Sequence, residues 1–274
     1  MKFAVAFFGI PRSSSICFPT IQQNILDILP DGAEVSYHYH LYRQTAVINP
    51  RSNEAGLLTA ADYAPFVDNM AGVLEAPGGC LDKWNYPELQ KYGDAWGDDF
   101  CSLRNLVHQL HSLHEVTRSL QPIEPDLVIY VRPDLYYHSP LPRYALSHTR
   151  DWRRTVYLPS WQWWNGLNDR FAVCGSHSFP AYGLRIREAL DFCGDGHKLH
   201  GEELLKYALN KNDVKIRTLG TKATRVRTGG RFQHERFSIL RSTGSELSVQ
   251  ILNRACRMGT MWDRLAARRL AYAE

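Results

Sequence analysis

The chain has 274 residues, of which 44% are hydrophobic; this content supports a sizeable core and excludes an intrinsically disordered protein. The formal net charge is +4, and the basic excess is concentrated between Lys215 and Arg241, where Glu235 is the single acid. This asymmetry indicates an anionic partner such as nucleotide phosphates, anionic lipid or nucleic acid, with a solvated basic face as the alternative.

The cysteines and the amino-terminal run bear on the compartment. The six cysteines have no CxxC or metal-finger spacing, which disfavours a zinc finger or a thioredoxin-like motif and is typical of reduced core residues. The apolar part of MKFAVAFFGIPRS is too short for a signal peptide or a membrane span. We therefore expect a cytoplasmic protein.

The first hundred residues predict the opening of an α/β fold followed by a long insertion. Residues 3–8 are an apolar run of strand length, and residues 20–29 carry apolar side chains at helical spacing. Residues 34–41 alternate in the manner of a second strand. Residues 49–96 are rich in Gly, Pro, Asn and Asp, which predicts an insertion with a short helix and little sheet.

Histidines recur in two of the predicted elements. His38 and His40 alternate along the second strand, where we expect them to line a polar face rather than to bind a metal. Residues 101–120 form a clear amphipathic helix with histidines at 108, 111 and 114. Because these three are rotated too far around the helix to converge on one metal, a solvated stripe is expected.

The most informative run is DLVIYVRPDLYYHSP, from Asp126 to Pro140. Its first part, residues 127–131, is uninterrupted and β-branched or aromatic, which predicts a strand covered on both faces. Arg132 and Asp134 follow at the carboxyl end, where open α/β sheets bind their ligands. Asp134 is a candidate ligand for a divalent metal, and an Arg–Asp pair that closes a turn is the alternative.

The rest of the chain continues the α/β pattern and ends in a basic segment. Apolar runs predict strands at 155–158, 171–174 and 214–218 and helices at 178–193 and 201–210. The last segment, from residue 245 to residue 273, places apolar side chains largely on one side with arginines beside them. It is expected to pack on its own domain or to lie on an anionic membrane surface.

Five of these segments occur in an order that resembles bacterial and viral polysaccharide-type glycosyltransferases of the GT-A kind. The segments are GIPRS (9–13), SLRNLVHQ (102–109), VRPDLYY (131–137), GLNDRFAVCG (166–175) and HGEELLKYAL (200–209). The resemblance covers roughly residues 1–220 and lies in the order of the pieces. It implies one Rossmann-like GT-A domain over 1–235, with a mostly parallel sheet flanked by helices, and a basic helical extension over 236–274.

The same resemblance implies an activity and its co-substrates. The expected reaction transfers a sugar from a nucleotide-sugar donor to a hydroxyl of a glycan or lipid-linked saccharide, with no nucleic acid as a partner. A divalent cation, Mn²⁺ or Mg²⁺, would bind at Asp134. Many GT-A enzymes use an Asp-x-Asp motif, whereas Arg132 stands at its first position here, and an arginine can partly replace a metal electrostatically. The extension would supply any peripheral membrane contact.

The resemblance and the chemistry of the side chains predict three groups of site residues. The donor group consists of Gly9, Arg12, Arg104, Asn105, Arg132 and Asp134. The sugar and acceptor group consists of Asn168, Asp169, Trp163 and Trp164, since amides, carboxylates and aromatic faces recognise sugars. The catalytic group consists of Glu202 as first choice of general base, Glu203 as second, and Asp169. Ordinary caps and first-turn acids of a helix are the alternative for these polar residues.

Two other functions stay open. GIPRSSS at 9–15 loosely resembles the phosphosulfate loop of sulfotransferases, although the loop lacks a lysine and a Gly-Thr pair. A carbohydrate-binding or assembly protein that kept the fold without catalysis is the other alternative, because one aspartate of the metal motif is present.

Overall fold

The computed structural model describes residues 1–148 and 151–237, which form twelve strands and eight α-helices. The strands are β1 (Lys2–Gly9), β2 (Glu34–Tyr42), β3 (Ala46–Asn49), β4 (Glu54–Leu57), β5 (Ala71–Glu75), β6 (Leu127–Val131), β7 (Leu135–Tyr137), β8 (Thr155–Pro159), β9 (Phe171–Gly175), β10 (Lys215–Leu219), β11 (Ala223–Arg227) and β12 (Arg231–Phe232). The helices are α1 (Ser14–Ile21), α2 (Ala60–Val67), α3 (Cys80–Lys83), α4 (Tyr86–Lys91), α5 (Cys101–Leu120), α6 (Phe179–Gly183), α7 (Ala189–Gly194) and α8 (Gly201–Lys211).

A seven-stranded sheet forms the centre of the molecule, in the order β10-β8-β9-β6-β1-β2-β5. All neighbouring pairs are parallel except the two that involve β9, which runs antiparallel between β8 and β6. The prediction of an α/β fold with a mostly parallel sheet is confirmed. The carboxyl ends of β1, β2 and β6 therefore meet at one edge, where ligand sites of open α/β sheets lie.

The central strands are buried on both faces because alternate side chains enter two different cores. Phe3, Val5 and Phe7 of β1 pack with α1 and α2 on one face. Ala4, Ala6 and Phe8 pack with α5, α6 and α8 on the other. The uninterrupted apolar runs of β1 and β6 arise from this double burial, as predicted for strands inside a parallel sheet.

The predicted insertion at 49–96 contains a strand of the central sheet that the sequence did not indicate. Residues 71–75 form β5, which pairs in parallel with β2 and is one edge of the central sheet. The sequence did not indicate this strand because AGVLE is short, contains glycine and is largely exposed, so its pattern is weak. The same range also contains the β4 strand of a hairpin with β3, and helices α2 to α4.

Two predicted helices also differ in detail. The first helix begins at Ser14 rather than at residue 20, and Gln22–Leu26 continues it as a π-helical turn. The helix expected over 178–193 is divided into α6 and α7 by a 3₁₀ turn at Arg185–Glu188. Gly183 ends α6, in line with the low helix propensity of glycine.

The basic extension predicted at 236–274 lies, beyond Phe237, outside the described residues, so its helical character and its membrane contact stay predictions. Within 1–148 and 151–237, no helix is long and apolar enough to cross a bilayer. The cytoplasmic location likewise stays a prediction.

Candidate functional site

A cleft of about 1010 Å³ opens at the carboxyl edge of the central sheet. Its floor is formed by the ends of β1, β2 and β6 and by the segment before β9, and its walls by the β3–β4 hairpin, α5, the start of α8 and β11. Gly9 ends β1 at the floor with a φ of +102°, a backbone conformation that L side chains rarely adopt. The cleft lies where the topology predicts a ligand site.

Asp134 lies on the floor of the cleft between two arginines. Its Oδ2 accepts hydrogen bonds from Arg12 Nη2 at 2.7 Å and from Arg132 Nη2 at 2.9 Å, while its Oδ1 accepts one from Arg132 Nε at 3.0 Å. Arg12 Nε donates a further bond to Oδ2 at 3.1 Å. The Asp134 residue is 2% exposed, so two guanidinium groups surround the carboxylate almost completely.

This arrangement does not fit a divalent cation at Asp134. Burial alone would raise the pKa of Asp134, but Arg132 and Arg12 outweigh it and hold that pKa well below its usual range. The carboxylate is thus ionised, yet its oxygens already accept four bonds from cationic donors. A metal ion bound there would be placed against two positive charges, which repel it.

A second buried carboxylate extends the arginine cluster toward the hairpin. Glu54 of β4 accepts bonds from Arg12 Nη1 at 2.8 Å and from Arg227 Nη1 at 3.2 Å. Its Oε1 also accepts the backbone N–H of Thr228 at 2.9 Å. Burial and the positive charge of Arg12 lower the pKa of Arg227 to about 10, which leaves it charged at neutral pH. Arg12 is therefore held between two carboxylates from distant parts of the chain.

A third carboxylate, Glu235, holds two more arginines beside the cleft. It pairs with Arg170 at 3.0 Å and with Arg225 at 2.8 Å, and both arginines line the cleft. Burial would raise the pKa of Glu235, but Arg170 and Arg225 lower it below its usual value. Arg225 and Arg227 belong to the basic stretch 215–241, which the charge asymmetry singled out without indicating individual residues.

Gln109 connects the arginine cluster to the acidic wall of the cleft. Its Oε1 accepts a bond from Arg132 Nη1 at 3.0 Å, and its Nε2 donates to Asp169 Oδ2 at 3.1 Å. Asp169 Oδ2 also accepts Arg185 Nη2 at 3.4 Å. Gln109 ends the SLRNLVHQ segment but received no role from the sequence. Its position on the inward side of α5 is the signal that would have identified it.

The acidic wall is formed by Asp169, before β9, and by Glu202 and Glu203 in the first turn of α8. Burial and the neighbouring charge of Asp169 raise the pKa of Glu202 to about 8. An ordinary first-turn acid would instead be stabilised in its ionised form by the helix dipole. The Glu202 side chain is 21% exposed and lies 3.4 Å from His200 Nδ1, so it remains accessible from the cleft.

Glycine permits the close approach of the loop that supports Glu202. Gly166 lies against the α8 start so tightly that a Cβ there would be 2.0 Å from the Glu202 carbonyl. The backbone N–H of Leu167 donates to the Glu202 carbonyl oxygen at 2.9 Å. The loop between β8 and β9 and the start of α8 therefore form one backbone unit, which fixes the position of Glu202.

One of the predicted tryptophans has the exposure that a sugar platform needs. Trp164 is 41% exposed at the wall of the cleft and has a φ of +42°, in the sparsely populated left-handed region. Trp96, which the sequence did not single out, also lines the cleft and stacks on His200 with ring centroids 5.2 Å apart. Two aromatic rings thus lie beside the acidic wall, of which Trp164 is the more exposed.

Three other predicted contacts are corrected by the structure. Trp163 is 2% exposed, packs in the core and donates its indole N–H to the Pro159 carbonyl, so it offers no accessible face. Asn168 is buried and its amide is occupied by the backbone of Trp161 and Arg170. The exposed Arg104 interacts with Tyr86 and is not a lining residue, whereas Asn105, one residue later, lines the cleft. The helical rotation between neighbouring residues explains this difference.

No family model and no curated protein matches the chain. Two solved structures with a related arrangement are mouse xyloside xylosyltransferase 1 in its apo form and the galactosyltransferase LgtC in complex with donor and acceptor sugar analogs. The first is 10% identical over 80% of this chain and 85% of its own, with a TM-score of 0.42. The second is 12% identical over 79% of this chain and 73% of its own, with a TM-score of 0.43. Both likenesses are too distant to assign an activity to this chain.

Proposed function

We propose that this protein is a glycosyltransferase that transfers a sugar from a nucleotide-sugar donor to a hydroxyl of a glycan or a lipid-linked saccharide. The observation that carries the proposal is a single cleft with a fixed cluster of guanidinium groups at one side and an accessible carboxylate of raised pKa at the other. The guanidinium cluster suits a diphosphate leaving group, and the carboxylate suits activation of an acceptor hydroxyl.

The arginine cluster is the proposed site of the donor diphosphate. Departure of a nucleoside diphosphate leaves negative charge on its oxygens, and preorganised guanidinium groups stabilise such charge without rearrangement. Arg12 and Arg132 are held by Asp134, and Arg227 is held by Glu54. We propose that these arginines replace the metal ion of the Asp-x-Asp motif, because the surroundings of Asp134 do not fit a cation.

Glu202 is the proposed general base that removes the proton from the acceptor hydroxyl. A base is most efficient when its pKa lies near the working pH, and a pKa of about 8 is close to neutral. Asp169, oriented by Gln109 and Arg185, keeps that pKa raised through its charge and offers oxygens for sugar hydroxyls. Glu203 lies in the same helix turn with its side chain 34% exposed and is the second candidate.

The exposed ring of Trp164 and the half-buried ring of Trp96 are proposed to hold the acceptor. Sugar rings present C–H faces that pack on indole rings, and Trp164 and Trp96 lie in the walls that also contain Glu202. The left-handed conformations of Gln162, Trp164 and Asn165 point the same way, because such conformations persist where a site requires them.

The two alternative functions have less support. A phosphosulfate donor would need the start of α1 as its anion site, but the Ser14 N–H there already donates to the Asp62 carboxylate at 3.3 Å. A negative charge at that position repels phosphate. A purely carbohydrate-binding protein would have no need for an acid whose pKa is raised to about 8, which is a property that clusters at catalytic sites.

The proposal is tested by calorimetric titration of the full chain with UDP, GDP, CMP and dTDP, and each nucleotide is titrated once with manganese and once with EDTA. We expect one nucleotide to bind in both conditions. The variant Arg227→Gln should bind that nucleotide more weakly and should keep the circular dichroism spectrum of the wild type. Binding by none of the four would overturn the glycosyltransferase assignment. Binding that requires manganese would retain the assignment but overturn the role given to the arginines.

A further inference from the structure

A second cluster of polar side chains lies outside the proposed active site, beside a cavity of about 600 Å³. His40 Nε2 and His111 Nε2 lie 2.9 Å and 3.0 Å from the same oxygen, Oε2 of Glu75. Within residues 1–148 and 151–237, these three side chains are the one group whose potential metal-ligating atoms all lie within 4.8 Å of one another. Both imidazoles are buried, and the Glu75 side chain is 30% exposed toward the cavity.

Three elements of the fold bring the cluster together. His40 lies near the end of β2, and Glu75 ends the edge strand β5, which pairs with β2 so that Tyr42 is opposite Glu75. His111 lies on the side of α5 that packs against β2. The expectation of a solvated histidine stripe on this helix is wrong for His111 and His114, since both are 3% exposed. The sheet and the helix together bring three potential metal ligands close to one another, which the histidines of the helix alone could not do.

We propose that His40, Glu75 and His111 form a binding site for a divalent metal ion of the zinc class. Two imidazole nitrogens and one carboxylate oxygen are a donor set that suits Zn²⁺, with the fourth position open to the cavity. The ion would take the place of the two Nε2 protons. Each nitrogen–oxygen distance, now 2.9 and 3.0 Å, would widen to roughly 3.3 Å, the edge of a tetrahedron with bonds of about 2.0–2.1 Å.

The surroundings of His111 provide the support that metal-bound histidines require. When Nε2 binds an ion, Nδ1 carries the proton and needs an acceptor, usually a carboxylate or carbonyl. Glu115 Oε1, which Lys83 and His114 also contact, lies 3.7 Å from His111 Nδ1 and would be that acceptor. In the metal-free arrangement Nδ1 instead accepts the indole N–H of Trp84 at 3.0 Å. Metal binding therefore exchanges Trp84 for Glu115 as the partner of Nδ1.

The proposal is tested by titrating the EDTA-treated full chain with ZnCl₂ and, for comparison, with MgCl₂. We expect one Zn²⁺ to bind per chain with a change in tryptophan fluorescence from Trp84, and Mg²⁺ to bind far more weakly because it prefers oxygen ligands. Cobalt(II) should give the absorption bands of a four-coordinate site. Glu75→Gln should weaken Zn²⁺ binding by more than about 100-fold, and Glu115→Gln by about 10- to 100-fold, as for removal of a supporting carboxylate.

His197→Gln is the matched control, because it removes an exposed histidine away from the cluster and should leave the affinity unchanged. Equal Zn²⁺ affinity in the wild-type chain and in Glu75→Gln would overturn the site, as would loss of binding in His197→Gln alone. Circular dichroism melts in EDTA verify that each variant folds. If Glu75→Gln does not fold, the graded loss in Glu115→Gln and the cobalt spectrum decide the question.

Discussion

The two halves of the cleft differ in how their carboxylates are paired. In the arginine half, every carboxylate is enclosed by guanidinium groups: Asp134 by Arg12 and Arg132, and Glu54 by Arg12 and Arg227. In the acidic half, Glu202 is close to another carboxylate, Asp169, and lies 3.4 Å from His200 Nδ1. One half is a fixed array of paired charges, and the other contains a group that can gain or lose a proton.

This difference separates positioning from proton transfer. Ion pairs that are buried and fully hydrogen-bonded hold their charges at all ordinary pH values, which suits a group that must receive a diphosphate in a constant geometry. A carboxylate that is partly desolvated and lies near a like charge has a pKa close to neutral, which suits a base. Gln109 joins the two halves through its hydrogen bonds with Arg132 and Asp169.

The largest effect is expected from Asp134→Ala in the arginine half. The change leaves Arg12 and Arg132 buried without their shared partner, and breaking such a pair costs about 3–5 kcal/mol of unfolding free energy. Turnover should be lost as well. Urea denaturation and a donor-hydrolysis assay measure the two effects.

The exposed pair of Glu88 and Lys91 provides the control for this prediction. Glu88→Ala removes a carboxylate from a surface pair and should change stability by only about 0–1 kcal/mol. A loss in Asp134→Ala no larger than in Glu88→Ala would mean that the arginine half is not a rigid array.

In the acidic half, Glu202→Gln should lower turnover by about 10²- to 10⁴-fold, the usual contribution of a general base. The wild-type rate should rise with pH through about 8, where Glu202 ionises, and the residual rate of the variant should lack this rise. Glu203→Gln, in the same helix turn, should have the smaller effect. A larger loss of turnover in Glu203→Gln than in Glu202→Gln would identify Glu203 as the general base.

The same shift in pKa has a consequence for stability. Because the folded pKa of about 8 lies above the ordinary value of 4.5, the contribution of Glu202 to stability is present below pH 4.5 and is lost as the pH rises through 8. The melting temperature of Glu202→Gln should therefore match the wild type near pH 5 and exceed it at pH 9. Equal melting temperatures of the two proteins at both pH values would show that the pKa of Glu202 is not raised.

Gly166→Ala tests whether the acidic half depends on the backbone unit beneath it. The added Cβ would lie 2.0 Å from the Glu202 carbonyl, and backbone on both sides leaves no flexible side chain to yield. A displacement of about 1 Å at a catalytic group costs roughly 100-fold in rate, so we expect a loss of that order. Gly194→Ala, where a Cβ would meet nothing within 4 Å, is the control and should be nearly neutral.

The smallest effect is expected from Trp164→Ala, at the rim of the acidic half. Loss of a stacking surface worth about 0.5–1.5 kcal/mol should raise the acceptor KM by about 2- to 10-fold and leave kcat unchanged. Trp163→Phe should instead lower the melting temperature without changing KM, because that ring is in the core. A similar rise in KM for both variants would remove the acceptor role of Trp164.

Elements whose pattern is local can be predicted from the sequence. The double-sided burial of β1 and β6, the amphipathic side of α5 and the charged residues after β6 follow from spacing along the chain, and residues 101–120 and 127–131 match their predicted bounds. The same local logic placed Arg12, Asp134, Asp169 and Glu202 at the ends of elements, where the parallel sheet collects them in one cleft.

The contacts of these residues, in contrast, depend on how the chain folds in three dimensions. Arg12 and Asp134 are 122 positions apart, and Arg227 and Glu54 are 173 apart, so no local pattern indicates either pair. The burial of Trp163 beside the exposed Trp164 and the raised pKa of Glu202 also depend on packing against distant segments. Periodicity reports which side of an element is buried, whereas the partner, the solvation and the charge of a side chain are set by which elements the fold brings together.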